Sequence, residues 1–236
     1  MMQDQLPRIF SEDEPQRILE DSGAVRSVYG VHTKGGIFER LVRHPRLLEP
    51  AMQLLKSEVY VYQSKINVKA AMGGDVWEWH QDFIFWHKED GLPSARIINM
   101  SVFLDEVTEF NGPLMLVPGS HKFGIFDGDS QPNQGEDTGE VTWKVNVTAD
   151  LKYSLKREVV AEFARTNGIV APKGPAGSLL LFSPTIFHAS SNNMSPFHRN
   201  MLIVTYNSVE NLPQPVKARR PEFLAATDYK ALVPLP

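Results

Sequence analysis

Six short runs of β-branched and aromatic residues, most of them closed off by Gly, Pro or Asn, constrain this chain more than any other feature. The clearest is 59–70, VYVYQSKINVKA, where the apolar period is two. The others are 97–104, 114–117, 168–171, 178–182 and 201–207. Only two stretches carry a convincing helical period. In 45–56, Leu47, Leu48, Met52, Leu54 and Leu55 recur at helix spacing, with Pro50 tolerable in a first turn. In 154–166, Leu155, Val159, Val160 and Phe163 form one apolar face and Gly168 follows as a stop. Strands spaced by turns, without regular strand–helix–strand alternation, predict a mainly β sandwich or jelly-roll barrel rather than a doubly wound sheet or an α/β barrel. With no internal repeat and no interdomain linker, 1–236 reads as one domain. Residues 1–22 are polar and acidic, and read as a weakly ordered arm or a surface helix. The loop 127–140 has five acidic residues, no basic ones and no apolar anchor, so it reads as solvated; a minority of such loops are lids.

Charge and composition narrow the chemistry. The net charge is −4, and no basic run exists beyond Arg219-Arg220, so the footprint of a nucleic-acid binder is missing. The first residues lack the basic-then-apolar pattern of a secretory leader, and apolar runs such as 179–182 fall far short of the roughly 20 residues a bilayer crossing needs. The expectation is a cytoplasmic protein, monomer or homodimer, acting on a small molecule, with no nucleic-acid or membrane partner. There is no cysteine, which removes thiolate nucleophiles, disulfides and cysteine-ligated metal clusters; any metal must be held by His, Asp or Glu.

Two of the seven histidines open an H-x-acid triplet, His80-Gln81-Asp82 and His87-Lys88-Glu89. In an extended chain residues i and i+2 point the same way, so His80 and Asp82 can present an imidazole and a carboxylate to one ion. That is two thirds of a 2-His-1-carboxylate facial triad, the non-haem Fe(II) arrangement that leaves positions open for cosubstrate and oxygen. Around this pair, 76–86 (VWEWHQDFIFW) gathers three of the four tryptophans, which suits a dry pocket and equally suits plain core; 87–90 reads as a solvated charged turn. His188, ending the apolar run GSLLLFSPTIFH, is the second candidate histidine, with a satisfied core histidine as the other reading. Eleven residues later Arg199 follows a polar turn, and a hairpin of that length returns it beside His188, where its fork suits a carboxylate.

His80-x-Asp82, His188 and then Arg199, on strands of this kind, resemble the Fe(II)/2-oxoglutarate dioxygenases. The blocks QSKIN (63–67), WHQDFIFWHKEDGLP (79–93), EFNGPLMLVPGSHK (109–122) and Arg220-Pro221-Glu222 are most similar to the ectoine hydroxylase-like members of the phytanoyl-CoA dioxygenase superfamily. The resemblance implies a double-stranded β-helix, jelly-roll and cupin-like, with a few flanking helices. It implies hydroxylation of a small polar, amino-acid-like or zwitterionic metabolite, using Fe(II), 2-oxoglutarate and O2 and releasing succinate and CO2. His80, Asp82 and His188 would hold iron; Arg199, Asn99 and Trp77 would serve the cosubstrate; Gln63, Trp86 and Arg220 would contact substrate. Ile97, at a position that is small in ectoine hydroxylases, is expected to reshape the pocket. His121 in the PGSH block resembles a structural turn; His32, His44, His87 and His198 read as surface or helix-turn residues. Lys65 reads as a solvated lysine, with reach to the cosubstrate as the other possibility. The competing functions are a cupin-like metal- or ligand-binding protein without oxygenase activity, a metal-dependent isomerase or hydrolase on the same fold, and an oxygenase for a larger natural-product scaffold.

Overall fold

The computed structural model describes residues 2–126, 130–131, 143, 147 and 151–236. In chain order its strands are β1 (Arg17–Leu19), β2 (Val25–Tyr29), β3 (Val59–Lys69), β4 (Trp77–His80), β5 (Ile97–Phe103) and β6 (Leu114–Leu116). Then come β7 (Ser130–Gln131), β8 (Ser154–Leu155), β9 (Leu179–Phe182), β10 (His188–Ser190) and β11 (Arg199–Ser208). The α-helices are α1 (Leu6–Ser11), α2 (Gly36–Leu41), α3 (Pro45–Leu55), α4 (Asp82–Asp90) and α5 (Arg157–Asn167). The larger sheet runs β1-β2-β3-β11-β5-β9 and the smaller β6-β10-β4-β8-β7, with every strand pairing antiparallel. These two open sheets with few helices are the jelly-roll, cupin-like architecture the pattern predicts.

Strand alternation separates the two faces of the larger sheet. Ile66, Val68, Met100, Val102, Leu202, Val204 and Tyr206 face the helices and pack on Leu6, Ile9, Phe38, Leu47, Leu48 and Ala51. Phe103, Met201 and Ile203 form a separate cluster with Leu114 of β6 and Leu180 of β9. β3 changes face once. Its pairing with β11 steps from Gln63 to Val61, skipping Tyr62, so Val59 and Val61 join the helix-facing core while Tyr60 and Tyr62 cluster with Trp77 and Trp86. That bulge puts Tyr62 and Gln63, neighbours in sequence, on the cleft side together.

α3 starts on His44, whose Nδ1 accepts from the Arg46 amide at 3.2 Å, with Pro45 in the first turn. Pro50 sits one turn further in than expected, at the sixth helical position, where it lacks the N–H that would return to the Arg46 carbonyl. Packing outweighs that loss: Leu47, Leu48 and Ala51 are buried, and Leu48→Ala should cost about 2–5 kcal/mol.

Several expectations need correction. Of the two readings of residues 1–22 the helix holds in part and the loose arm does not: α1 lays Leu6 and Ile9 into the core, and β1 pairs with β2. The helix at 154–166 begins at Arg157, because Ser154 is drawn into the smaller sheet opposite His80. Residues 168–171 contribute only one bridge, Val170 to Leu116. Residues 82–90 form a helix, not part of a strand followed by a solvated turn, and Asp90 at its end is buried. The acidic loop 127–140, apart from the two residues of β7, lies outside the described residues.

Candidate active site

β4 delivers His80 at its last position; Gln81 is still extended, and Asp82 is the first residue of α4. The pair therefore straddles a strand-to-helix junction rather than sharing a strand. β10 lies next to β4 and sets His188 directly opposite His80. The ring centroids of the two imidazoles are 4.1 Å apart. Nε2 of His80 is 3.5 Å from Asp82 Oδ1, and Nε2 of His188 is 3.6 Å from Oδ2. One ligand atom from each residue falls within 4.8 Å of the others. Two ligands about 2 Å from one ion and at right angles stand about 3 Å apart, so small rotamer adjustments suffice to hold a metal.

The tautomers are set from behind. His80 Nδ1 lies 2.6 Å from the Glu78 carbonyl and His188 Nδ1 3.0 Å from the Ile186 carbonyl. A carbonyl only accepts, so each Nδ1 carries a hydrogen and each Nε2 is the atom turned toward Asp82 and the metal position. Burial pushes His80 down to about 4, with His188 adding to the effect, so this imidazole stays neutral. For Asp82, burial alone would raise the pKa. The His188 and His80 imidazoles and the Lys65 ammonium outweigh it and hold the carboxyl well below the usual range. Asn99 on β5 donates to Asp82 Oδ2 at 2.7 Å and accepts from Thr205 Oγ1 at 2.7 Å, which fixes the carboxylate from outside the cleft.

A cleft with two lobes opens on these residues, and Lys65, Trp77, His80 and Asp82 line both. The inner lobe adds His188, Ser190, Asn67 and Arg199. β10 and β11 belong to different sheets, so Arg199 reaches His188 by a crossover between sheets and not by the expected hairpin. Its guanidinium is buried; one arm donates to the Gly112 carbonyl at 2.5 Å, while Nε has no partner. Burial lowers its pKa to about 10, which leaves it charged at neutral pH. Gly112 has φ +70°, and a Cβ there would stand 2.7 Å from the Ser191 carbonyl, so glycine alone brings this acceptor in. Asn67 Oδ1 and Ser190 Oγ are also buried without partners. An unpartnered guanidinium edge beside a hydroxyl fits a carboxylate-bearing cosubstrate, since buried polar atoms are costly when left unpaired.

The outer lobe adds Gln63, Phe85, Trp86, Val147, Leu151 and Arg220. Gln63 Nε2 donates to the Leu224 carbonyl at 2.8 Å. Arg220 is not free for a ligand carboxylate along its fork: Nε and Nη2 donate to the two oxygens of Asp90 at 2.8 and 2.5 Å. Tyr62 OH also donates to Asp90, and Trp86 meets Tyr62 edge-on. Gly91, at φ +76°, lets the Gln214 carbonyl approach where a Cβ would be 2.4 Å from it, and so seats the segment leading to Arg220 against α4. Ile97 lies among Tyr60, Tyr62 and Trp86 and lines neither lobe, so the pocket argument built on it falls away. Lys65 is not a solvated lysine but a cleft residue, its ammonium 5.6 Å from the Trp77 ring centroid.

Sequence reasoning missed Ser190, Asp90 and Tyr62. Ser190 was readable, since on β10 it shares a face with His188 two residues before it.

A family model described as "Phytanoyl-CoA dioxygenase (PhyH)" matches residues 2–201. The chain belongs to this family. L-proline trans-4-hydroxylase of Streptomyces griseoviridis is 43% identical over 229 residues, covering 96% of this chain and 83% of that protein. Ectoine dioxygenase of Streptomyces avermitilis is 38% identical over 220 residues, covering 92% and 72%. EctD from S. alaskensis, solved with 2-oxoglutarate and 5-hydroxyectoine, superposes with TM-score 0.82 at 32% identity, covering 100% of this chain and 77% of that one; the same enzyme with bound Fe gives 0.80. The protein is an Fe(II)- and 2-oxoglutarate-dependent dioxygenase. No helix among the described residues is long and apolar enough to cross a membrane.

Proposed function

We propose that this dioxygenase hydroxylates a small zwitterion of amino-acid type, with L-proline, the substrate named for the relative at 43% identity, as the first compound to test. In this reading His80, Asp82 and His188 hold Fe(II), and Arg199, with Ser190, receives the distal carboxylate of 2-oxoglutarate. When bound, the iron and its cosubstrate supply the oxidising power; the chain's own residues bind, orient and exclude water. His80 and His188 offer lone pairs whose direction Glu78 and Ile186 fix, and Asn99 holds the Asp82 carboxylate in place. Trp77, Phe85 and Trp86 keep the cleft dry. Gln63, Lys65 and the remaining arm of Arg220 give polar groups to a carboxylate or amine, and the aromatic faces suit a cationic ring.

The observation that carries this reading is the continuity of the two lobes through His80 and Asp82. A substrate seated against Gln63 and Trp86 lies next to the metal ligands. A fatty acyl-CoA would need basic residues for three phosphates, whereas Lys65 and Arg220 are the only Lys or Arg residues lining the outer lobe among those described. The same proposal takes 1–236 as one catalytic domain working in the cytoplasm as a monomer or homodimer. The test is succinate release above the uncoupled background, with Fe(II) and 2-oxoglutarate, for a panel of free amino acids, ectoine and acyl-CoAs. L-proline or another zwitterion should drive turnover; acyl-CoA turnover with every zwitterion inactive overturns the substrate class.

A further inference from the structure

Behind the cleft wall lies a charged group that the reaction does not call for. Arg26, on β2, is 1% exposed, and its guanidinium carbon stands 3.8 Å from the centre of the Trp77 ring. Nη2 donates to the Val76 carbonyl at 2.9 Å, and Nε to the Val147 carbonyl at 3.2 Å. Nη1 is 3.7 Å from a Glu20 carboxylate oxygen, and that same oxygen accepts the Asp75 amide at 2.7 Å. Lys69 closes the group by donating to the Asp75 carbonyl.

We propose that Arg26 is a positioning residue for the substrate lobe, fixing the Trp77 indole and the Val147 backbone as one wall. Three directions of the guanidinium are used for this purpose: its flat face on the indole, one N–H on the residue before Trp77, another on Val147. Both Trp77 and Val147 line the outer lobe. An apolar side chain would fill the same space without the desolvation a buried cation suffers, but it could not stack and donate in two directions at once. Trp77 lines both lobes, but Val147 lines only the outer one, and Arg26 itself touches neither a metal ligand nor Arg199's contact to Gly112, so the larger effect falls on the substrate side. The inference rests on the outer lobe being the substrate site.

Arg26→Lys keeps the charge and loses the planar fork; Arg26→Met keeps the bulk and loses both. In each folded variant, KM for the zwitterion should rise at least tenfold and the share of succinate released without product should grow, while KM for 2-oxoglutarate, whose lobe shares Trp77 but not Val147, should change by a smaller factor. Rescue by lysine should be incomplete. A substrate-free readout separates this idea from the functional proposal. With 5-fluorotryptophan at the four tryptophans, Arg26→Lys should move the Trp77 fluorine resonance, assigned by its loss in Trp77→Phe, and leave the other three in place. If Arg26→Met does not fold, the lysine variant decides; if neither folds, Glu20→Gln, which removes the carboxylate 3.7 Å from Nη1 and leaves the stacked atoms, should give a smaller shift of the same resonance. An unmoved Trp77 resonance, or a variant with both KM values and coupling unchanged, overturns the proposal.

Discussion

The two lobes of the cleft treat buried polar atoms in opposite ways. In the inner lobe Arg199 Nε and Ser190 Oγ find no partner among the described residues. In the outer lobe Gln63 is tied to Leu224, and Arg220 and Tyr62 converge on Asp90. Since an unpaired buried donor costs about 1–3 kcal/mol, the inner lobe is shaped for a ligand that supplies acceptors to Arg199 and Ser190 every cycle. The outer lobe is already satisfied, so its shape is held by the fold and its selectivity rests on what an internal ion pair leaves exposed. A cosubstrate common to a whole family suits the first design, and a substrate that changes from member to member suits the second.

The metal end gives the most severe way to break this contrast. His188→Ala removes one of three ligands, and turnover should fall below detection together with loss of stoichiometric iron; an active variant with one iron bound would move the ligand set elsewhere, His121 being next to test. At the outer lobe, Asp90→Ala leaves the Arg220 guanidinium buried and uncompensated. Chemical denaturation should show a loss of about 3–5 kcal/mol. A near-neutral result would mean that the pair does not hold the outer lobe together. Arg199→Lys trades a fork for a point charge and should weaken 2-oxoglutarate binding by about 1–3 kcal/mol, a factor of about 5 to 150 in KM. Stability should fall by no more than about 1–3 kcal/mol, the contact of Nη2 to the Gly112 carbonyl, because Nε has no acceptor to lose; a larger drop with an unchanged KM would reverse the contrast.

Lys69 sharpens it further. Burial pushes this lysine down to about 6, the neighbouring Arg199 and Arg26 cations push the same way, and Glu20 and Asp75 oppose them. Between pH 6 and 10 the unfolded chain holds a proton there that the folded one has released, so stability rises with pH by up to about 1.4 kcal/mol per unit and levels off below pH 6. Lys69→Met, which cannot titrate, should lose that slope. Urea midpoints of both proteins at pH 6.5, 7.5 and 8.5 measure the difference; parallel lines would mean that Lys69 is charged in the folded state.

What could be read from the sequence follows from what is local. β3 announces itself by a period of two, and β5, β9 and β11 by short β-branched or apolar runs closed off by turn residues. α4 does not, because Phe83, Ile84, Phe85 and Trp86 are all buried in succession and leave no polar face to mark a helical period. His80 and Asp82 were legible as a pair although the reason given, a shared strand, was wrong: the junction into α4 brings the carboxylate round instead. The Asp90–Arg220 pair joins distant parts of the chain, and nothing near Arg220 says whether its carboxylate will be a ligand's or the protein's own. Asn99 was singled out for the cosubstrate, yet its amide holds Asp82, a distinction only the packing of β5 beside α4 reveals.

The register of β3 against β11, which sets Lys69 opposite Arg199, has a kinetic consequence. Closing that pairing means ordering a loop on the order of 130 residues, a slow event for a chain rich in non-local strand contacts. Arg199 takes its place in the cleft only when it closes, and His188 meets His80 through a second long-range pairing, β10 on β4, in the other sheet. An unfolded chain offers iron little beyond His80 and Asp82, so the metal has nothing to grip during the search. Iron should therefore leave the refolding rate nearly unchanged and act on the other limb, slowing the escape from the finished fold.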